Sequence, residues 1–247
     1  MGNPLLSILK TGILTQREMF PSLPDEANGL PTVTASPCSG SECGRCAGGC
    51  PTKAISLAGN SVALDRGLCI GCGECLRVCT SGTLVRDLST RTAVATREEL
   101  ILTGQEYVHK KPAKSRLPFR RSLHIREVST GDSASDLEVI ASTNAVFDIA
   151  RFGVHFVASP RFADALLVTG PVGRAMQEPL RRCYDAMAEP RIVIALGTSA
   201  ISGGLYSGGY AEANGVSDIL PVTAYVPGDP PHPWSLIHGI LLAMGRL

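Results

Sequence analysis

The sequence CSGSECGRCAGGCP at residues 38–51, followed by CIGCGECLRVCT at residues 69–80, decides the fold of the first half of the chain. These two runs contain eight of the nine cysteines. The second run has the spacing C-x2-C-x2-C-x3-C, and the first differs only in having four residues in its first gap. Two runs of this kind are typical of proteins that bind two [4Fe-4S] clusters. The sequence therefore predicts two such clusters as cofactors.

The spacing also predicts which thiolates share a cluster, because the fourth cysteine of each run binds the cluster of the other run. Cluster 1 is expected to be held by Cys38, Cys43, Cys46 and Cys79. Cluster 2 is expected to be held by Cys69, Cys72, Cys75 and Cys50. Two zinc sites are a weaker interpretation, since zinc sites usually separate two C-x2-C pairs. Four disulfides would need an oxidising compartment, and the N-terminus lacks the pattern of a signal peptide.

The segments around the two runs predict a small α+β, ferredoxin-like domain at residues 37–107. A strand near Ile55, a turn at Gly59-Asn60 and a second strand at 62–64 form an expected hairpin between the runs. Glycines within the runs, at 44, 48, 49, 71 and 73, let the backbone curl around inorganic sulfide and direct N–H groups towards it.

The same stretch resembles the two-cluster ferredoxins beyond its cysteines. CPTKAI at residues 50–55 is answered by CTSGTL at residues 79–84, so the two halves form an internal repeat. Thr80 stands where the first half has Pro51. We expect this departure to touch the rim of the site and no ligand.

The flanking segments are less informative. Residues 1–36 predict a short helix, with an apolar stripe at Leu5, Ile8, Leu9 and Ile13, and then an extended proline-rich connector. The stripe either packs on its own domain or lies against a membrane subunit. Residues 108–122 form a basic linker that is either solvated or docked on an acidic partner or anionic headgroups.

Composition limits the classes of partner. The formal net charge is +1 and aromatic residues make up 5% of the chain, which argues against a nucleic-acid partner. No apolar run approaches the roughly 18 to 20 residues that span a bilayer. Any membrane contact is therefore expected to be peripheral.

Residues 123–247 predict an α/β domain with a parallel, flavodoxin-like sheet. Strands are expected at 124–128, 154–159, 164–170, 191–197 and 219–226. Helices are expected at 136–149 and 173–187, with an amphipathic helix at 233–247. Strands that alternate with helices favour a parallel sheet covered on both faces, and sites in such sheets gather in the loops after the strands. Those loops follow Val128 and lie at 169–173, 197–204 and 227–231.

These loops carry a second resemblance. FRRSLHIREV, ASPRFADALLVTGPV, EPRIVIALGTSAISGG and LPVTAYVPGDPPHP resemble the small subunit of energy-converting [NiFe] hydrogenases and formate hydrogenlyases, and its homologue, the B-type iron-sulfur subunit of respiratory complex I. The resemblance covers residues 117–247. ILKTGILT, together with the double cysteine motif, resembles the ferredoxin-like subunit of the same complexes. The chain thus resembles a fusion of two neighbouring electron-transfer subunits.

In that family the four loops supply the cysteines of a proximal [4Fe-4S] cluster, but here these positions hold other residues. The vacated positions are Asp132, Ser135, Ser199 and Asp229, and an alternative alignment places Ser133 first. Because carboxylate and hydroxyl oxygens do not replace thiolates on an iron-sulfide core, we expect no third cluster. Cys183, inside a predicted helix, is expected to be an ordinary packed or surface thiol.

The content of the vacated site stays open. Asp132 and Asp229 either face each other, sharing a proton or a hard cation, or serve their own turns. A flavin or nucleotide at the TGPVG loop is weakly indicated, because no G-x-G-x-x-G fingerprint occurs.

The resemblance implies an electron-transfer subunit of a hydrogenase-like or complex I-like oxidoreductase, with no catalytic residue or active site of its own. Its expected partners are a large subunit, membrane-arm subunits and a redox protein, and its expected place is peripheral, on the inner face of the cytoplasmic membrane. One alternative is a structural adaptor with vestigial clusters in an ion-translocating assembly. An independent ferredoxin-linked enzyme is less favoured, since no acid-base or nucleophile constellation is evident.

Overall fold

The computed structural model describes residues 11, 16, 18–104, 119–131 and 133–247. The predicted N-terminal apolar stripe, most of the basic linker and Asp132 lie outside the described residues. No helix in the part of the chain that is described is long and apolar enough to cross a bilayer.

The first half is built from two small antiparallel sheets. One pairs β1 (Leu30–Val33) with β4 (Leu84–Asp87). The other has the order β2 (Ile55–Ala58), β3 (Ser61–Asp65) and β5 (Ile101–Leu102). The predicted hairpin is confirmed, because Ala58 pairs with Ser61 around the Gly59-Asn60 turn. β1 lies within residues 1–36, where a helix and a connector were expected, and it pairs with β4 of this unit.

One short helix lies in the second half of each cysteine run. These helices are α1 (Arg45–Gly48) and α2 (Glu74–Val78). Each begins after a left-handed glycine, Gly44 with φ 60° and Gly73 with φ 74°. Glycine adopts this conformation without the penalty that a Cβ atom imposes, so the repeat is reproduced in the backbone.

The second half contains a five-stranded parallel sheet, as predicted. Its strands are β6 (Leu123–Ser129), β7 (Val154–Phe156), β8 (Ala165–Thr169), β9 (Ile192–Leu196) and β10 (Ala224–Val226). The order β7-β6-β8-β9-β10 is the flavodoxin-like order of doubly wound sheets. Every residue of β8 and β9 is buried, as expected for central parallel strands covered on both faces.

Among the described residues, four α-helices lie in this half of the chain, and three of them differ from prediction. They are α3 (Ser135–Ser142), α4 (Arg174–Asp185), α5 (Thr198–Ser202) and α6 (Pro233–Ala243). The helix expected at 136–149 ends at Ser142, because the Asn144 side chain accepts hydrogen bonds from the N–H groups of Val146 and Phe147 and forms a turn. The short helix α5 was not predicted.

The last helix, α6, is buried on nearly all sides and is not amphipathic as expected. It packs against β9, β10 and α3. Its remaining face meets the N-terminal half: a Cβ on Gly239 would lie 3.2 Å from Cβ of Ala93, and Phe20 packs edge-on against Trp234. Because residues distant in sequence cover this face, the helix has no solvent-exposed polar stripe. The periodicity of its own sequence could not indicate that burial.

The two halves are joined at the sheet edge and at a cluster loop. Val94 and Tyr225 exchange two backbone hydrogen bonds of 3.0 and 2.9 Å, which covers the free edge of β10. The hydroxyl of Thr198, in the loop after β9, donates to the carbonyl oxygen of Cys69 at 2.7 Å. The second cysteine run therefore lies against the carboxyl end of the parallel sheet.

Candidate iron-sulfur site

The structure gathers four thiols, which we call thiol group 2, around one cavity. These are Cys50, Cys69, Cys72 and Cys75. Cys69 and Cys75 are buried, whereas Cys72 is exposed. Burial, together with the smaller effect of neighbouring thiolates of the same group, raises the pKa of Cys69 to about 11 and that of Cys75 to about 12. Four thiols that share one low-dielectric site are suited to a soft metal cluster that removes their protons.

The other four thiols of the two runs form thiol group 1. They are Cys38, Cys43, Cys46 and Cys79. Burial raises the pKa of Cys46, and charges on Cys38 and Cys79 add to it, so these sulfurs lie near one another. The division of these eight cysteines between two clusters stays a prediction from the crossed spacing.

Each group has backbone N–H groups already directed at its sulfurs. In group 1, Gly40 N donates to Cys38 Sγ at 3.2 Å and Leu84 N donates to Cys79 Sγ at 3.4 Å. In group 2, Gly71 N donates to Cys69 Sγ at 3.4 Å and Ala54 N donates to Cys50 Sγ at 3.2 Å. Such donors stabilise ligating thiolates. The donor set therefore fits two [4Fe-4S] clusters.

Thr80 has a larger role than its expected place at the rim. The Arg45 guanidinium donates through Nη2 to Thr80 Oγ1 at 2.9 Å and through Nε to Cys43 Sγ at 3.3 Å. The same hydrogen bond from Arg45 lowers the pKa of Cys43. The expectation that the Thr80 departure leaves the ligands untouched is therefore corrected, because Thr80 fixes a cation on one of the thiols.

The described vacated positions lie in the three loops where they were expected. Ser135 is fully buried at the start of α3, and a Cβ on Gly197 would lie 2.4 Å from its Oγ. Ser199 is buried in α5 beside Gly204. Thr198 N donates to Gly228 O at 2.8 Å, which ties the loop after β9 to the loop after β10.

Asp229 faces the junction between the two halves of the molecule. It lines a cavity of about 220 Å³ between the halves of the molecule, together with Ile70, Gly71 and His232, and neither Ser135 nor Ser199 lines that cavity. Burial raises the pKa of Asp229 and lowers that of His232. Within the described ranges, no group of three or more His, Cys, Asp or Glu is arranged around a single metal ion. The suggested pairing of Asp229 with Asp132 lies outside the described residues.

A second pair of carboxylates was missed from the sequence. Glu127, near the end of β6, and Asp136, in the first turn of α3, line an open cavity of about 490 Å³. Burial raises the pKa of Glu127 to about 7, and the charge of Asp136 adds to the shift. Ser129 Oγ donates to Asp136 Oδ2 at 2.8 Å. The available signal was an acidic residue on each side of the loop that follows the first strand of the parallel sheet.

Two family models match the chain. The model described as "NADH ubiquinone oxidoreductase, 20 Kd subunit" matches residues 133–243, and the "4Fe-4S dicluster domain" model matches residues 31–94. The chain is 42% identical over 135 residues to the second B-type subunit of NADH-quinone oxidoreductase from Rhizobium etli, covering 55% of this chain and 80% of that relative. The chain belongs to the family of B-type NADH-quinone oxidoreductase subunits.

Two further relatives are each similar to more than half of this chain. The B-type subunit of NADH-quinone oxidoreductase from Desulfovibrio desulfuricans is 42% identical over 130 residues, which is 53% of this chain and 70% of that relative. Formate hydrogenlyase subunit 7 of Escherichia coli is 35% identical over 147 residues, which is 59% of this chain and 58% of that relative. The resemblance to a B-type subunit joined to a dicluster ferredoxin is thus confirmed.

The match to the B-type family contains three of the four vacated positions. Ser135, Ser199 and Asp229 fall within residues 133–243, and Asp132 lies one residue before them. The parallel sheet of a B-type protein is therefore present here with oxygen-bearing side chains at the loops after its strands.

Proposed function

We propose that the chain is an electron-transfer subunit of a complex I-like or hydrogenase-like oxidoreductase. It binds two [4Fe-4S] clusters, one on thiol group 1 and one on thiol group 2, and no third. The observation that carries the proposal is the match between the two groups: each has four thiols, and in each a backbone N–H donates to the first thiol of its own run and another to the thiol that comes from the other run. A bound cluster supplies one-electron chemistry, and the chain supplies ligands, hydrogen bonds and solvent exclusion.

The residues at the vacated positions support the absence of a third cluster. Ser135 and Ser199 carry hydroxyls, and Asp229 carries a carboxyl group in a separate cavity. Hard oxygen donors bind iron-sulfide cores poorly, and the close approach of Ser135 Oγ to Gly197 leaves little room for a cluster between them. Electrons would then leave the chain by a route other than the loops of the parallel sheet.

The C-terminal half is proposed to dock on a large subunit, with further contacts to membrane-arm subunits at the cytoplasmic face of the membrane. Leu137, Ile140 and Val146, in and after α3, are exposed apolar side chains at 66%, 65% and 71% of their surface. Clustered exposed apolar residues mark interaction surfaces. Relatives named as subunits of NADH-quinone oxidoreductase and formate hydrogenlyase favour such a partner.

A redox titration of the anaerobically purified chain, followed by electron paramagnetic resonance, tests the proposal. Two centres that are reduced reversibly by one electron each, in the potential range of ferredoxins, are expected. Clusters that are present but not reducible would contradict electron transfer and favour the structural adaptor. Cys183→Ser is the control, because Cys183 lies in α4 and outside both thiol groups.

A further inference from the structure

We propose that Arg45 gives cluster 1 the higher reduction potential, so that the first electron to enter the pair resides at the exposed Cys43 edge. This inference rests on the proposed function, because it takes both thiol groups as cluster ligands. To the proposed function it adds the order of the two cluster reduction potentials and the residue that determines this order. The internal repeat makes the inference possible, since each group serves as a reference for the other.

Several contacts that influence the reduction potential occur in both groups. Gly40 and Leu84 each donate a backbone hydrogen bond to group 1, and Gly71 and Ala54 do the same for group 2. Each group also has one hydroxyl oxygen near a sulfur, at 3.5 Å in group 1 and 3.8 Å in group 2. Hydrogen bonds to sulfur raise cluster potentials, so these matched contacts shift both clusters alike.

The charges at one equivalent pair of repeat positions are opposite. Arg45, between Cys43 and Cys46, corresponds to Glu74, between Cys72 and Cys75. The guanidinium of Arg45 bonds directly to the Cys43 sulfur at 3.3 Å. Among the described residues, no carboxylate forms an ion pair with Arg45, so its charge acts on the thiol without compensation.

Glu74 places no positive charge on group 2. It lines the cavity of that group, and its carboxylate accepts hydrogen bonds from Arg77 at 2.6 and 2.9 Å. The pair is nearly neutral, with its negative member towards the thiols. Cluster 1 therefore faces a net cation and cluster 2 faces a compensated carboxylate.

Solvent exposure acts in the same direction. Each group has one exposed thiol, Cys43 or Cys72, but Cys69 and Cys75 of group 2 are buried at 7% and 8% exposure, whereas no thiol of group 1 is buried. Reduction adds one negative charge to a cluster, and that charge is less favourable in the more buried site, where the nearby cation, Arg66, is itself paired with Asp87 at 2.6 Å. Both effects place the potential of cluster 1 above that of cluster 2.

The electron balance is simple. A one-electron donor protein loses one electron, cluster 1 gains it, and a second electron then reduces cluster 2. No proton moves and no bond is formed or broken.

Thr80 is the positioning residue in this arrangement. It holds Nη2 of Arg45 at 2.9 Å, and a proline at this position, as in the first half of the repeat, has no hydroxyl to do so. The departure from the repeat thus keeps the cation on Cys43.

The test is a redox titration of the full chain with paramagnetic resonance detection of both centres. Arg45→Gln should change the electron occupancy of the higher-potential centre by about tenfold, equivalent to a downward shift of about 59 mV for one electron, and leave the lower one in place. Arg45→Lys should retain most of the wild-type value. Thr80→Val, which keeps the arginine, should shift the same centre by a smaller amount.

Arg86→Gln is the matched control, because Arg86 is exposed and donates to the carbonyl oxygen of Asp25. It should move neither midpoint. The proposal is overturned if Arg45→Gln moves the lower midpoint, if it moves neither, or if Arg86→Gln moves the upper one equally. Failure of the proposed function is distinct from these results, because the wild-type chain would then have no reducible centres.

Discussion

The two halves of the molecule use sulfur in opposite ways. The buried apolar cluster around the cysteine runs is small, and two of its seven members are thiols of group 2: Ala54, Ile55, Val62, Leu64, Cys69, Cys75 and Leu84. Two larger apolar clusters pack on the faces of the parallel sheet, include a few residues of the first half such as Ala93 and Leu100, and contain no buried cysteine. A cluster is therefore part of the fold in the first half, whereas the sheet of the second half is stable with hydroxyl and carboxyl groups at its loops.

Removal of the clusters should produce the largest difference in hydrogen-exchange protection between the two halves. After iron chelation under reducing conditions, amide hydrogens in residues 30–102 should exchange about 100-fold faster or more, because their small core loses its metal links. Amides of β8 and β9, in the apolar sheet, should keep their protection. Hydrogen exchange with mass spectrometry on the full chain measures both, and equal loss of protection in the two halves would contradict the comparison.

Single-cysteine variants sharpen the same contrast. Cys75→Ser should lose about four of the irons bound per chain, because Cys75 belongs to group 2 alone. Cys183→Ser, in α4, should lose none and is the matched control. Iron measured against protein concentration checks both variants. Full iron content in Cys75→Ser would contradict the ligand assignment.

Glu127, near the end of β6, tests whether a buried carboxyl group lowers the stability of the second half. Its folded-state pKa of about 7 lies above the ordinary value of 4.5, so the carboxyl group destabilises the fold increasingly as pH rises between these values. Glu127→Gln should raise Tm by about 4 °C at about pH 8, after allowance for solvent screening, and the gain should shrink towards about pH 5.5.

The fluorescence of Trp234, buried in α6, reports unfolding of this half. Glu178→Gln, on the exposed face of α4, is the control. A gain in stability that does not depend on pH would contradict the role assigned to burial of Glu127.

The smallest expected effect lies at the junction of the halves. Thr198→Val removes the hydroxyl that donates to the carbonyl oxygen of Cys69 and should cost about 1 kcal/mol of unfolding free energy. Denaturant unfolding followed by Trp234 fluorescence measures it. Thr143→Val is matched, because the Thr143 hydroxyl donates only within its own turn, to Ile140. An equal loss in both variants would indicate that the junction contributes nothing.

Local sequence patterns were sufficient to predict the hairpin and the parallel sheet, whereas the division of the cysteines into two groups stays a prediction. Each depends on residues close in sequence or on a repeated alternation of strands and helices. The buried α6 could not be predicted, because Ala93 and Phe20 cover it from the other half. Arg45 was missed for a similar reason, since its anchor, Thr80, is 35 residues away. Features that depend on contacts between residues far apart in sequence could therefore not be predicted from periodicity or spacing.

The central claim is that this chain has soft ligands for two clusters and no more, and that all of them lie in its first half. Iron and acid-labile sulfide, measured in anaerobically purified protein, test it most directly. Two clusters predict about eight irons and about eight sulfides per chain. About twelve of each would show a third cluster in the half that contains the parallel sheet, and zinc in place of iron would contradict the assignment of both thiol groups.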